Sequence, residues 1–77
     1  MRYTDYFQYV RGRPDRAVIQ EAWLARAIDV PDRREVQPDG RIRLWVYIPE
    51  AGKFLRVIVL ADGQTVHNAF FDRRFRA

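Results

Sequence analysis

Residues 41–68 read RIRLWVYIPEAGKFLRVIVLADGQTVHN, and the period of their apolar positions decides the fold class. Leu44, Val46 and Ile48 alternate with Arg43, Trp45 and Tyr47, and Leu55, Val57 and Val59 alternate with Arg56, Ile58 and Leu60. A period of two belongs to half-buried strands. Turn-forming clusters punctuate the runs: Pro38-Asp39-Gly40, Glu50-Ala51-Gly52-Lys53 and Asp62-Gly63. Three turns from Arg34 onward predict a four-stranded antiparallel meander.

Each turn implies a register. Pro38-Asp39-Gly40 suits a type I turn with Gly40 left-handed, pairing Gln37 with Arg41 and Val36 with Ile42. Glu50 to Lys53, taken as a loop, pairs Ile48 with Leu55, Val46 with Val57 and Leu44 with Val59. Asp62-Gly63, taken as a type I′ hairpin, pairs Ala61 with Gln64, Val59 with Val66 and Leu55 with Phe70, leaving Asn68 as the polar intruder on the core face. The reverse face then carries Arg43, Trp45, Tyr47, Arg56, Ile58 and Leu60, continued by Thr65, His67 and Ala69. Tyr47 lies opposite Arg56 in this scheme, and Trp45, Ile58 and His67 form the next row.

Ahead of the strands, Tyr3, Tyr6, Phe7 and Val10 have the spacing of one helix face, with Thr4 as N-cap and with Gly12 and Pro14 ending the helix; the rival reading is a strand, since aromatic and β-branched residues also suit a sheet. Asp15 then caps a longer helix from Arg16 to Ile28, whose apolar flank is Val18, Ile19, Ala22, Trp23 and Ile28, and Pro31 stops it. Ile19 and Trp23 are expected to pack on the core face of the sheet. The expected fold is α+β: two N-terminal helices packed on a four-stranded antiparallel β-meander, in a single domain over residues 1–77.

The 77 residues leave room for one core, and a chain of this size buries only about 60 % of its unfolded surface. With no cysteine and a single histidine, thiolate and His-rich metal sites are excluded, and the scattered carboxylates suggest no magnesium cluster. No phosphate loop or dinucleotide fingerprint is present, so neither a metal nor a cofactor is expected. No apolar run approaches the roughly 18 residues that span a bilayer, and the segment after Met1 is polar and aromatic where a signal peptide is apolar. A cytoplasmic protein without a membrane partner is the expectation.

The net charge is +4, and thirteen of the fourteen basic residues are arginine, whose planar fork suits phosphate. The same bias also follows from genome base composition. A flat face with aromatics, Arg43, Arg56 and His67 has the groups to stack bases and grip phosphates. The competing reading has Trp45, Ile58 and Leu60 covered by the helices or by a second copy, with His67 a hydrogen-bonded structural residue. The run from Phe70 to Arg76 reads either as an arginine clamp with Phe75 docking it, or as a solvated end.

The order helix, helix and meander, a basic strand face, and the ending Asn68-Ala69-Phe70-Phe71-Asp72-Arg73-Arg74-Phe75 resemble the RelE/ParE superfamily of small toxins, above all its BrnT-like branch. The resemblance implies the toxin component of a type II toxin–antitoxin system: a metal-independent messenger-RNA endonuclease that acts by attack of the ribose 2′-hydroxyl on the adjacent phosphate. It implies RNA, including ribosome-bound messenger RNA, and a cognate antitoxin as partners, and it allows a homodimer. On that reading Arg56, His67 and Tyr47 are catalytic, and Arg43, Trp45, Arg73 and Arg74 bind RNA. A gyrase-poisoning branch has a similar fold. A non-enzymatic module that dimerises or binds protein through the aromatic sheet face is the alternative.

Overall fold

The computed structural model describes residues 1–76. Its elements are β1 (Arg2–Tyr3), α1 (Asp5–Val10), α2 (Pro14–Ala17), α3 (Glu21–Asp29), β2 (Arg33–Val36), β3 (Ile42–Ile48), β4 (Lys53–Val59) and β5 (Thr65–Phe71). The class is α+β. Where two helices and a four-stranded antiparallel sheet were expected, the described residues form three helices and a five-stranded mixed sheet in the order β1-β5-β4-β3-β2. β1 pairs parallel with β5, setting Tyr3 beside Val66, and the N–H of Thr4 donates to the Val66 carbonyl at 3.0 Å. Two residues are too few to show alternation, so this strand leaves no periodic signal.

Thr4 caps α1, its hydroxyl accepting from the Phe7 N–H at 3.1 Å. The longer helix is broken: α2 ends at Ala17, and α3 starts only after Gln20, which is extended with ψ at 147°. Val18 and Ile19 fall at the break, and β-branched neighbours are weak helix formers. The corner has a packing consequence. Ile19 turns into the core while Val18 stays exposed, α2 lies along β5, and α3 crosses β3 and β4 with Trp23, Leu24 and Ala27 inward.

The sheet face beneath the helices carries Ile42, Leu44, Val46, Ile48, Leu55, Val57, Val59 and Val66, joined by Phe7 and Val10 of α1 and by Ile19 and Trp23. These are the face and the helical partners read from the alternation, although two registers differ in detail. The β3–β4 hairpin pairs Ile48 with Lys53, Val46 with Leu55 and Leu44 with Val57, a slip of two residues from the expected pairing. The loop is Pro49–Gly52: Gly52 takes a left-handed φ of +66° and its N–H closes onto the Ile48 carbonyl at 2.8 Å. A slip of two preserves the faces but changes every cross-strand neighbour. Tyr47 therefore lies opposite Phe54, and Arg56 opposite Trp45.

The second departure is a bulge. Val59 pairs with Val66 as expected, but Ile58 pairs with Asn68, so His67 is an extra residue in β5. From there the faces exchange: Ala69 is fully buried in the core, Phe71 packs against it, and Phe70 lies opposite Arg56 on the reverse face. Asn68 leaves the core face, and its side chain accepts from the Ala69 N–H at 2.9 Å. The preceding turn is not type I′, which needs positive φ at both central residues; only Gly63 has it, at +72°. Asp62 instead accepts from the N–H groups of Gln64 and Thr65, both at 2.9 Å. The first hairpin has the expected form, with Gly40 at φ +90° and Val36 opposite Ile42.

Leu55 is fully buried at the centre of the core, so Leu55→Ala is expected to lower unfolding free energy by about 2–5 kcal/mol. Urea titration checks it. A change under about 1 kcal/mol would place Leu55 outside a packed interior.

Candidate nucleic-acid interface

The reverse face has its own packing, centred on Trp45. The ring is only 5 % exposed because the segment after β5 folds back over it. Phe75 stacks on Trp45 with centroids 4.9 Å apart and planes at 15°, and it meets Phe54 edge-on at 4.9 Å. Tyr47 adds a T-shaped contact with Phe54 at 5.2 Å.

Asp72 ties this layer together. Its Oδ2 accepts from the Trp45 indole N–H at 3.0 Å and lies 3.8 Å from Nη1 of Arg56, while Oδ1 accepts from the Arg74 N–H at 3.1 Å. The indole hydrogen bond, then the Arg74 N–H and the Arg56 charge, hold the carboxyl below its ordinary range against partial burial. Arg56 is clamped between rings, its guanidinium carbon 5.4 Å from the Trp45 centroid and 5.3 Å from that of Phe70. Its Nε is buried with no hydrogen-bond partner among the described residues.

Beside this layer is a hollow of about 360 Å³ walled by Tyr47, Phe54 and Phe75 and rimmed by Lys53, Arg73 and Arg76. A second, of about 520 Å³, lies between α2 and β5 against Phe70 and Phe71, and it shares Lys53 and Arg73 with the first. Lys53, Arg73 and Arg76 form no ion pair among the described residues, whereas Arg16, Arg26, Arg33, Arg41, Arg43 and Arg56 each face a carboxylate. Free cations beside exposed ring surface are the materials of a phosphate and base site.

The residues expected to act together are dispersed over the reverse face. Tyr47, 44 % exposed, and Arg73 share the first hollow, while Arg74 is exposed and outside both. Trp45 and Arg56 are inside the covered layer, and Arg43 sits 3.9 Å from Glu35 near the β2 edge. His67 is elsewhere. Its Nδ1 is 3.1 Å from the Thr4 hydroxyl and its ring stacks on Tyr6 at 5.2 Å and 28°. The neighbouring pair Val66–Val59 is level with Ile42, five positions along β3 from Tyr47, or roughly 17 Å at the strand rise. The expected Tyr47, Arg56 and His67 cleft is not assembled, because the slip sets Tyr47 opposite Phe54 and moves Ile58 from Trp45 to Arg43, and the bulge pairs Ile58 with Asn68 in place of His67. The surface expected for self-association through Trp45 is likewise covered by the chain's own Phe75.

Lys53 and Phe54 line the hollow without a signal in the turn reading: Glu50 to Lys53 reads as a loop, and only the slip sets Phe54 beside Tyr47, whereas Arg76 belongs to the run read as an arginine clamp. The docking role read for Phe75 is realised on Trp45. Among the described residues no cluster of His, Asp or Glu is placed to hold a metal ion, and no helix is long and apolar enough to cross a membrane. No family model matches the chain, nor does any curated protein or solved structure.

Burial, then the nearby Arg41, lowers the His67 pKa, with Asp39 opposing. An imidazole depressed by folding binds its proton more readily in the unfolded chain, so its stabilisation is complete above about pH 6.5 and lost as pH falls through the depressed value. The urea midpoint is expected to fall between about pH 7 and pH 5, and His67→Gln to flatten that slope. An unchanged slope in the variant would assign the acid loss to other groups. Asp62 acts at lower pH: the Thr65 hydroxyl, then the N–H groups of Thr65 and Gln64, hold it at about 2, so its contribution persists above its ordinary 3.8 and disappears below.

Proposed function

We propose that this chain binds single-stranded RNA in the hollow between Tyr47 and Arg73 and acts as an RNA-directed toxin of the RelE kind. The observation that carries the binding half is the set of three cations without carboxylate partners among the described residues, Lys53, Arg73 and Arg76, around a hollow that offers the rings of Tyr47 and Phe54. Unpaired cations take phosphate without first giving up an ion pair, and ring faces accept any base, so the site suits a flexible single strand better than a duplex. Arg74, exposed on the same segment, lies where it can follow the backbone outward.

The resemblance supplies the rest of the reading: messenger RNA as substrate, the cytoplasm as its place, and a cognate antitoxin that covers the same basic end. Cleavage at this site would use Tyr47 as the proton-transferring group, with Lys53 and Arg73 stabilising charge on the phosphate during 2′-hydroxyl attack. Arg56 serves by holding Asp72. This reading gives His67, set against Thr4 and Tyr6, no role in the reaction.

The test is binding of a fluorescent single-stranded RNA at several salt concentrations. Affinity is expected to fall with salt, and Lys53→Ala and Arg73→Ala each to reduce the log–log slope by about 0.7. Salt-independent binding, or slopes unchanged by both substitutions, would reject the site. Incubation with RNA in EDTA, with and without ribosomes, tests cleavage; Tyr47→Phe is expected to slow it by about a hundredfold while leaving affinity within a factor of about two. No cleavage and no growth arrest on expression would remove the toxin half and leave an RNA-binding protein.

A further inference from the structure

The segment after β5 lies on the sheet in the way a nucleotide would. Phe75 presents a flat ring parallel to Trp45, the arrangement a base takes on an aromatic side chain, and the Arg33 guanidinium carbon is 5.9 Å from the Phe75 centroid. Three residues earlier, the Asp72 carboxylate accepts from the Trp45 indole and faces Arg56, as a phosphate oxygen could. We infer that the Trp45–Arg56 face is a second nucleotide subsite, continuous with the Tyr47–Arg73 hollow, which Phe75 and Asp72 occupy in the free protein and an incoming base and phosphate take over.

Three observations favour exchange over a permanent seal. Arg56 is poorly satisfied by its present partner: the closest approach to Asp72 is 3.8 Å, beyond hydrogen-bond length, and Nε has no acceptor among the described residues. A phosphate, with more acceptor positions and a full charge, serves a guanidinium better than one distant carboxylate oxygen. The covering segment is also irregular, and its side-chain hold on the sheet face is the Phe75 ring and the Asp72 carboxylate. Finally, the segment carries its own cations. When Phe75 lifts away, Arg73, Arg74 and Arg76 remain attached and can grip the displacing strand, so leaving the sheet does not remove them from the site.

This inference rests on the RNA reading above, and its test separates the two. In a Trp23→Phe background Trp45 is the only tryptophan, since the chain has two. The probe is a short oligouridylate, with binding followed by anisotropy of an end label and by Trp45 emission. Phe75→Ala removes the internal competitor and is expected to tighten binding by about two- to tenfold, the strength of one aromatic stack. Saturating RNA should change Trp45 emission in both proteins, and Phe75→Tyr, which keeps the stack, should restore the original affinity. Phe75→Leu, which keeps apolar cover without a stack, gives a second reading if the alanine variant loses its fold by circular dichroism; it too should tighten binding. Salt-dependent binding with Trp45 emission unchanged, or with affinity equal or weaker in the alanine and leucine variants, overturns the subsite while the Tyr47–Arg73 reading stands. Absence of binding in every variant overturns both.

Discussion

One extra residue in β5 governs the arrangement on both faces of the sheet. Because His67 is bulged, the side chains after it change sides: Ala69 and Phe71 complete the core under Trp23, and Phe70 comes out beside Arg56. Without the bulge, Asn68 would face the core and leave an amide to be satisfied there, while Phe70 would occupy the place of Phe71. A bulge costs local ladder hydrogen bonds, and here the Asn68 side chain supplies an acceptor for the Ala69 N–H. The same residue order carries the chain to Asp72 on the reverse face, where its carboxylate reaches Trp45.

Asp72 is the electrostatic counterpart of that geometric constraint. A carboxylate that is largely covered is stable only with donors and charge around it, and the Trp45 indole, the Arg74 N–H and Arg56 provide them. In return it holds the segment that carries Phe75 over Trp45, so the basic end of the sheet has defined walls. Arg56 thereby acts on the site from behind, while Lys53, Arg73 and Arg76 face solvent with no carboxylate partner among the described residues.

The legible and illegible parts of the fold separate along physical lines. Alternation records which face a residue takes, so Leu44, Val46, Leu55 and Val57 could be read as core even though the hairpin was misaligned: a slip of two leaves parity intact. Cross-strand neighbours depend on where the loop closes, and the choice between Glu50–Lys53 and Pro49–Gly52 turned on Gly52 being the left-handed residue that ends the turn. The bulge left one trace, Asn68 among apolar residues, which a strict two-residue period can accommodate only as an exception. The Val18–Ile19 corner was hidden because Ile19 and Trp23 share a face whether or not the helix is continuous. The candidate site is the least legible part, since it is made of neighbours rather than faces: alternation sets Tyr47, Trp45, Arg43 and Arg56 on the correct side, while the slip and the bulge change their partners across β4 and β5.

The outermost strand of the sheet has a consequence for assembly. β2 presents Arg33, Arg34, Glu35 and Val36 with no strand beyond it among the described residues. When two identical strands meet about a twofold axis in an antiparallel ladder, the residue on the axis faces its own copy. Centring on Arg33, Arg34 or Glu35 therefore sets like charges face to face, and centring on Val36 brings Pro38, which has no N–H to give, opposite Arg34. The Arg33- and Arg34-centred ladders are offset by Asp32–Arg34 and Arg33–Glu35 pairs, whereas the Glu35- and Val36-centred ones gain no opposite-charge pair, so charge and Pro38 narrow the registers in which this open edge can meet its own copy.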